Sequence, residues 1–183
     1  GYKMDGYWCD IGDVGSYIKA HLDVFKLGGI LDLDLKKGYV DRSCVISDEA
    51  NISQNAFVGS ECEIDDDVEI GEYCVIGDGV KIERGTKLER SIIWSGTYIG
   101  RQCELKGCIV CNKAILKDYV RVHEKAVVGE NNTLKDFVEV KAEAKIWPQK
   151  VIESGTVIDE NIYWGTEVIK NVFWIRGITG EFN

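Results

Sequence analysis

Ile70-Gly71-Glu72-Tyr73-Cys74-Val75-Ile76-Gly77-Asp78-Gly79-Val80-Lys81-Ile82 decides the fold. Its aliphatic anchors Ile70, Ile76 and Ile82 stand six residues apart. Stepping back by six reaches Ile64, Val58, Ile52 and Ile46, and stepping forward reaches Leu88. The next step is five, to Ile93, and sixes resume through Ile99 and Leu105. A second five reaches Val110. Sixes then run through Leu116, Val122, Val128, Leu134, Val140, Ile146, Ile152 and Ile158. No anchor is charged, although charged residues make up 29% of the chain. The position four after each anchor is restricted too. It is small or β-branched at Ala50, Ala56, Cys62, Val68, Cys74, Val80, Thr86, Ile92, Thr97, Cys103, Ile109, Ala114, Val120, Ala126, Val138 and Ala144, with Asn132 the exception.

A period of six is not helical, because successive anchors would walk around the helix. Nor is it a sandwich, whose turn signals recur at about 8–12 residues. It fits a coil of three short strands joined by bends of about 120°, with vertically stacked neighbours about 18 residues apart and coils about 4.8 Å apart. The anchor points to the axis, and so does the smaller residue two before it, because a strand alternates faces. The five-residue steps predict tightened corners. With 20 glycines and a single proline, Pro148, the bends are expected to fall to Gly, Asp and Asn. Asn132 fits either an inward polar ladder or an outward bend.

The units Ile70-Gly71-Glu72-Tyr73-Cys74-Val75 and Ile76-Gly77-Asp78-Gly79-Val80-Lys81 resemble the hexapeptide repeat of left-handed β-helix proteins. Periodicity supplies the prism. The resemblance implies the left-handed winding, an exception to the usual right-handed crossover. The expected class is all-β: a left-handed parallel β-helix over 46–160, led in by strands over 30–45, with a short N-terminal α-helix.

Before the repeat, Val14, Tyr17, Ile18, Leu22 and Phe25 share one helical face. Asp13 or Ser16 can cap the start, and Gly28-Gly29 suit the stop. This helix needs something to pack on, the flank of the prism or another domain. Ahead of it, Gly6-Tyr7-Trp8-Cys9-Asp10-Ile11-Gly12 resembles the end of the catalytic domain in sugar-1-phosphate nucleotidyltransferases, where Trp-x-Asp-x-Gly leads into a linking helix. The mannose-1-phosphate guanylyltransferase branch is the nearest in pattern. The resemblance assigns 1–29 to the tail of that catalytic domain and its linking helix. It implies that an N-terminal catalytic domain lies outside this sequence, and that Asp10 is one of two aspartates holding Mg2+ in the full-length enzyme. The other aspartate and the glycine-rich nucleotide loop are not in this sequence, so this chain is expected to carry no catalytic residue, to bind no cofactor by itself and to be inactive alone. Trp8 reads as a packing residue. At the other end, Phe173-Trp174-Ile175-Arg176-Gly177-Ile178-Thr179-Gly180-Glu181-Phe182-Asn183 resembles the opening of a phosphohexomutase-like domain, which makes 161–183 a C-terminal cap and the start of such a domain.

Two other functions fit a hexapeptide prism. An acyltransferase would use an outward histidine as general base beside coenzyme A. The two histidines are His21, on the helix, and His123, which follows inward Val122 and faces out. A non-catalytic scaffold is the third reading. Its open ends need covering by the Gly12–Leu27 helix, by the aromatic-rich stretch 147–174, or by a second subunit. A homo-oligomer is expected, a dimer or else a trimer.

Composition sets limits. The chain has 183 residues and a net charge of −9, which gives no electrostatic footprint for nucleic acid or an anionic membrane. It shows no signal-peptide pattern and no 18-residue apolar run, which places it in the cytoplasm. Its seven cysteines are an odd number and are expected to be reduced thiols, even Cys44 and Cys62, which the repeat stacks on adjacent coils. Cys108-Ile109-Val110-Cys111 has no second pair to complete a zinc site and reads as structural, at turn positions. Asp65-Asp66-Asp67 reads as a solvated corner, because consecutive residues of an extended chain alternate faces.

Overall fold

The computed structural model describes residues 6–27 and 37–165, together with a strand at 167–168. Two-residue strands recur at the spacing of the anchors and stack into three parallel sheets. Sheet A runs from β1 (Tyr39–Val40) through β4 (Phe57–Val58), β7 (Val75–Ile76), β10 (Ile92–Ile93), β13 (Ile109–Val110) and β16 (Val127–Val128) to β19 (Lys145–Ile146). Sheet B starts at β2 (Val45–Ile46) and sheet C at β3 (Asn51–Ile52), and each takes every third strand, sheet B as far as β20 (Val151–Ile152). The three sheets wrap into a β-helix of about seven coils. The ladder begins at Tyr39, inside the expected lead-in stretch, and continues past residue 160: Ile162 bridges to Ile146, and β22 (Glu167–Val168) pairs with β20 (Val151–Ile152).

Register explains the two short steps. Phe57 pairs with Val75 across 18 residues, but Ile92 pairs with Val75 and with Ile109 across 17 in each direction. A coil can therefore lose a residue at its corner without shifting any strand. Both shortened corners join sheet C to sheet A, after β9 (Lys87–Glu89) and β12 (Glu104–Lys106).

The anchors form the core. Ile70, Ile76, Ile82, Ile93, Ile99, Leu105, Leu116, Leu134, Ile146 and Ile152 are fully buried, each worth about 1.5–3 kcal/mol of transfer free energy. The smaller inward column is buried as well, with one correction. At the shortened corners the inward residues are Ser91 and Cys108, not Ile92 and Ile109. Losing one corner residue moves the inward slot one place back along the chain. Ile92 and Ile109 consequently face outward, yet they are only 3% and 5% exposed. Inward polar groups find partners, with the exception of the Thr156 hydroxyl near the last coil. Thr86 Oγ1 donates to Gly100 O and accepts from Cys103 N (2.7 and 3.0 Å). Asn132 points inward, donating to Ile146 O and accepting from Lys150 N.

The corners depart from expectation. From Glu61 to Gly155 each holds one residue in the left-handed region, and among the described residues twelve of these are not glycine, including Tyr73, Arg90, Tyr119, Lys125 and Phe137. That conformation costs about 1–2 kcal/mol per residue. The offset is a backbone hydrogen bond to the coil before, as from Tyr73 N to Asn55 O and from Phe137 N to Asp118 O. Because the coil below supplies this partner, the corner side chain is left free to serve the surface.

Candidate functional site

Sheet A differs from its two neighbours on the outside. Its outward column reads Phe57, Val75, Ile92, Ile109 and Val127. The corresponding column of sheet C reads Glu69, Lys87, Glu104, Arg121 and Glu139. An apolar column on a solvent face needs a cover, and helix α1 (Val14–Leu27) provides it. Phe25, the buried residue of α1, meets Tyr73 edge-on with ring centroids 5.9 Å apart. Tyr17 lies against Trp94 and Cys111, at the far border of sheet A. Ile18 and Leu22 face the corner formed by Arg90, Gly107 and Lys125, across a gap of about 170 Å3. Lengths agree: Gly15 to Phe25 rises about 15 Å, and the three coils from Lys125 down to Tyr73 span about 14 Å. The helix thus lies along the flank of the prism, antiparallel to the direction in which the coils advance, and does not plug an end.

The start of α1 is a reciprocal cap. Asp13 Oδ1 accepts from Ser16 N (2.8 Å), and Ser16 Oγ contacts Asp13 N (3.2 Å). These bonds hold the Asp13 carboxyl below its ordinary pKa. The expected stop, Gly28-Gly29, lies outside the described residues.

Segment 6–12 doubles back over α1. The Tyr7 hydroxyl donates to Asp23 Oδ2 (2.9 Å), and Lys19 Nζ reaches the same oxygen (2.5 Å). Desolvation first and the Asp23 carboxylate second push the Tyr7 pKa up, and the Lys19 and Tyr7 donors push that of Asp23 down. This latch fixes the segment while leaving its apolar residues outside. Trp8 is 73% exposed and Ile11 58%. The expectation that Trp8 is a packing residue is therefore corrected: the latch binds its neighbour Tyr7 and turns the indole to solvent. Asp10 is exposed as well. Among the described residues, no group of three or more His, Cys, Asp or Glu side chains could share a metal ion.

A family model described as the EIF2B subunit epsilon LbH domain matches residues 36–140. The chain belongs to this family. It is a left-handed β-helix, and the matched stretch covers most of the described coils. A search of curated proteins finds no match. Among solved structures, a hexapeptide transferase family protein from Anaplasma phagocytophilum is 19% identical, covering 73% of this chain and 75% of that one, with a TM-score of 0.49. Francisella novicida UDP-N-acetylglucosamine acyltransferase is 16% identical over 73% of this chain and 65% of its own, TM-score 0.47. GDP-perosamine N-acetyl transferase from Caulobacter crescentus is 17% identical over 72%, TM-score 0.44, and this chain spans about half of it, 52%. These likenesses assign no activity.

On the LbH domain, the remaining candidate residues are dispersed. His123 stands at the corner after sheet C, its Nε2 2.8 Å from Glu139 Oε1, and Lys141 reaches the same carboxylate oxygen (2.6 Å). Lys141 first and His123 second hold the Glu139 carboxyl below its ordinary pKa. His21 is tied to its own helix, with Nδ1 3.0 Å from Tyr17 O. All seven cysteines are free thiols. Cys108 occupies an inward slot and not a turn, the same one-residue shift that turned Ile109 outward, and burial pushes its thiol up to about 12. Cys111 does follow its strand into the bend. Asp65-Asp66-Asp67 forms a corner in which Asp66 accepts from Ser47 Oγ (2.5 Å) and pairs with Arg84. At the far end Trp147 packs on Tyr163, with centroids 4.5 Å apart. Phe173 to Asn183, and with them the mutase-like resemblance, lie outside the described residues. No described helix is long and apolar enough to cross a membrane.

Proposed function

We propose that this LbH domain is the support and assembly part of a sugar-1-phosphate nucleotidyltransferase of the guanylyltransferase kind, working in the cytoplasm. Its catalytic domain would join through segment 6–12. That enzyme would couple a nucleoside triphosphate to a sugar-1-phosphate and release pyrophosphate. The observation that carries the reading is the latched segment: Tyr7 is fixed to Asp23 while Trp8 and Ile11 stand uncovered directly before the docked helix. This is the arrangement wanted where a folded neighbour continues onto a rigid flank. The family name supports it from another side, since EIF2B epsilon is itself called a subunit.

Magnesium would supply charge neutralisation at the phosphates in the full enzyme. A single exposed carboxylate, Asp10, is not a magnesium site by itself, so no step is assigned to the metal on this chain. Asp10 is the residue the sequence resemblance offers to such a site once the catalytic half is present. The chain's own task is to hold that half: α1 anchors it through Phe25 and Tyr17, and the prism provides a stiff base.

The test is pyrophosphate release from GTP plus mannose-1-phosphate. This chain alone is expected to release none, and its complete reading frame is expected to release it. Turnover by the chain alone, or a complete frame inactive with every nucleoside triphosphate and sugar-1-phosphate pair, overturns the reading. An acyltransferase is the second reading, favoured by the His123–Glu139 contact, in which a carboxylate orients a half-exposed imidazole. Saturable acetyl-CoA binding lost in His123→Ala would select it.

A further inference from the structure

Tyr119 and Phe137 occupy successive turns of the corner between sheets B and C, on the opposite side of the prism from α1. Their rings stack 4.8 Å apart and within 2° of parallel, yet they are 48% and 61% exposed. Both sit in the left-handed backbone region, φ 60° and 61°. An aromatic residue has no intrinsic preference for that conformation; the other described left-handed corners use Gly or charged and polar residues, except Tyr73, whose ring is met by Phe25 of α1. Two residues after each ring, on the outer face of sheet C, come Arg121 and Glu139, which are ladder neighbours. Arg121 is loosely held, with Nε 3.8 Å from Glu104, and its side chain is 58% exposed, whereas Glu139 already binds His123 and Lys141, both through Oε1, which leaves its Oε2 for a further partner.

These four side chains form a square: Tyr119 beside Arg121 on one coil, Phe137 beside Glu139 on the next. A twofold axis between the two coils, parallel to the strands, maps Tyr119 of one copy over Phe137 of the other and Arg121 over Glu139. Every apolar group then meets an apolar group, and every charge meets its opposite. The alternative twofold, along the prism, would put Arg121 over Tyr119 and Glu139 over Phe137, which leaves neither charge opposite its counter-ion and sets a carboxylate on the negative face of an aromatic ring.

We propose that the Tyr119–Phe137 corner and the adjoining Arg121 and Glu139 form an isologous interface through which two copies of this chain associate with their prisms antiparallel. The occupant follows from the square itself, whose charges are complementary to a rotated copy of the same square. Aromatics with an Arg at the centre are the side chains that concentrate binding energy in such patches. The proposal specifies the assembly role given above, and it stands whether or not the attached catalytic half is a nucleotidyltransferase.

Light scattering on a sizing column, at about 100 μM, well above the micromolar dissociation constant expected of a small patch, should give twice the chain mass of 20.5 kDa. Tyr119→Asn/Phe137→Asn should give the chain mass, with the melting curve retained, because Asn accepts the left-handed conformation. Arg121→Glu and Glu139→Lys should each be monomeric alone and recover the dimer mass when mixed, since the mixture restores both ion pairs. A wild-type chain that stays at 20.5 kDa, a double Asn variant that stays dimeric, or a charge-swapped mixture that stays monomeric each overturns the proposal.

Discussion

The outer faces of sheets A and C are built on inner columns of the same aliphatic kind and have opposite fates. Behind Ile92 and Ile109 lie Ile93 and Val110, and behind Lys87 and Arg121 lie Leu88 and Val122, all fully or nearly fully buried. In front, sheet A presents aliphatics and is covered by α1, while sheet C presents charges paired coil to coil, as in Lys87 with Glu69 (2.7 Å). The inner column fixes that a prism forms. The outer column fixes what that prism is for, because cross-coil ion pairs satisfy a solvated face and aliphatics demand a second element.

The largest break in this comparison should leave the two sheets equal. Ile70→Asp on sheet C and Ile76→Asp on sheet A each place an unpaired carboxylate on the axis, and both should abolish cooperative unfolding in thermal scans. If either variant melts like the parent, the shared core is not what stabilises the coils. Ile109→Asp against Arg121→Asp separates the faces. The first should lower stability by about 2–4 kcal/mol and make α1 susceptible to proteolysis, because it puts a charge under the helix. The second should stay within about 0.5 kcal/mol in the monomer. Phe25→Ala should cost about 2–3 kcal/mol, below the range for a fully enclosed Phe because one side of α1 is open.

Thiol chemistry sharpens the division between inside and corner. Cys62 and Cys74 are pushed up to about 11, and Cys103 and Cys108 to about 12, with desolvation by burial as the leading cause. Ellman's reagent at pH 8 should titrate no more than Cys9, Cys44 and Cys111 in the native chain, and all seven cysteines in denaturant. Reaction of Cys108 in the native state would mean that the short corner opens. The smallest effect is acidic. Asp41, held down to about 2 chiefly by the Ser43 hydroxyl, and Asp66, held down by Ser47 and Arg84, have folded pKa values below their unfolded ones. Their contribution is present above the ordinary carboxylate range and is lost as pH falls toward 2, so the melting temperature should drop gradually below about pH 4.

The sequence by itself determined the coil. Anchors at a spacing of six cannot be buried together by any helix or sandwich, so Ile46 to Ile158 dictated three strands per turn, and the aliphatic face of Val14 to Phe25 dictated α1. The tertiary structure decided between two counts at the short corners, since two back from the anchor gives Ser91 and Cys108 while four on from the previous anchor gives Ile92 and Ile109. A five-residue step can drop any one of several corner positions, and counting from the previous anchor put Ile92 and Ile109 inside, where the ladder instead seats Ser91 and Cys108. With Ile92 and Ile109 outside, they continue the column of Phe57, Val75 and Val127 and complete the seat for the helix. The exposure of Trp8 was likewise beyond the sequence, since it follows from Tyr7 finding Asp23 sixteen residues away. So too was the use of Tyr119 and Phe137 as corners, since a bend supported by hydrogen bonds from the neighbouring coil no longer needs the residues that favour it locally.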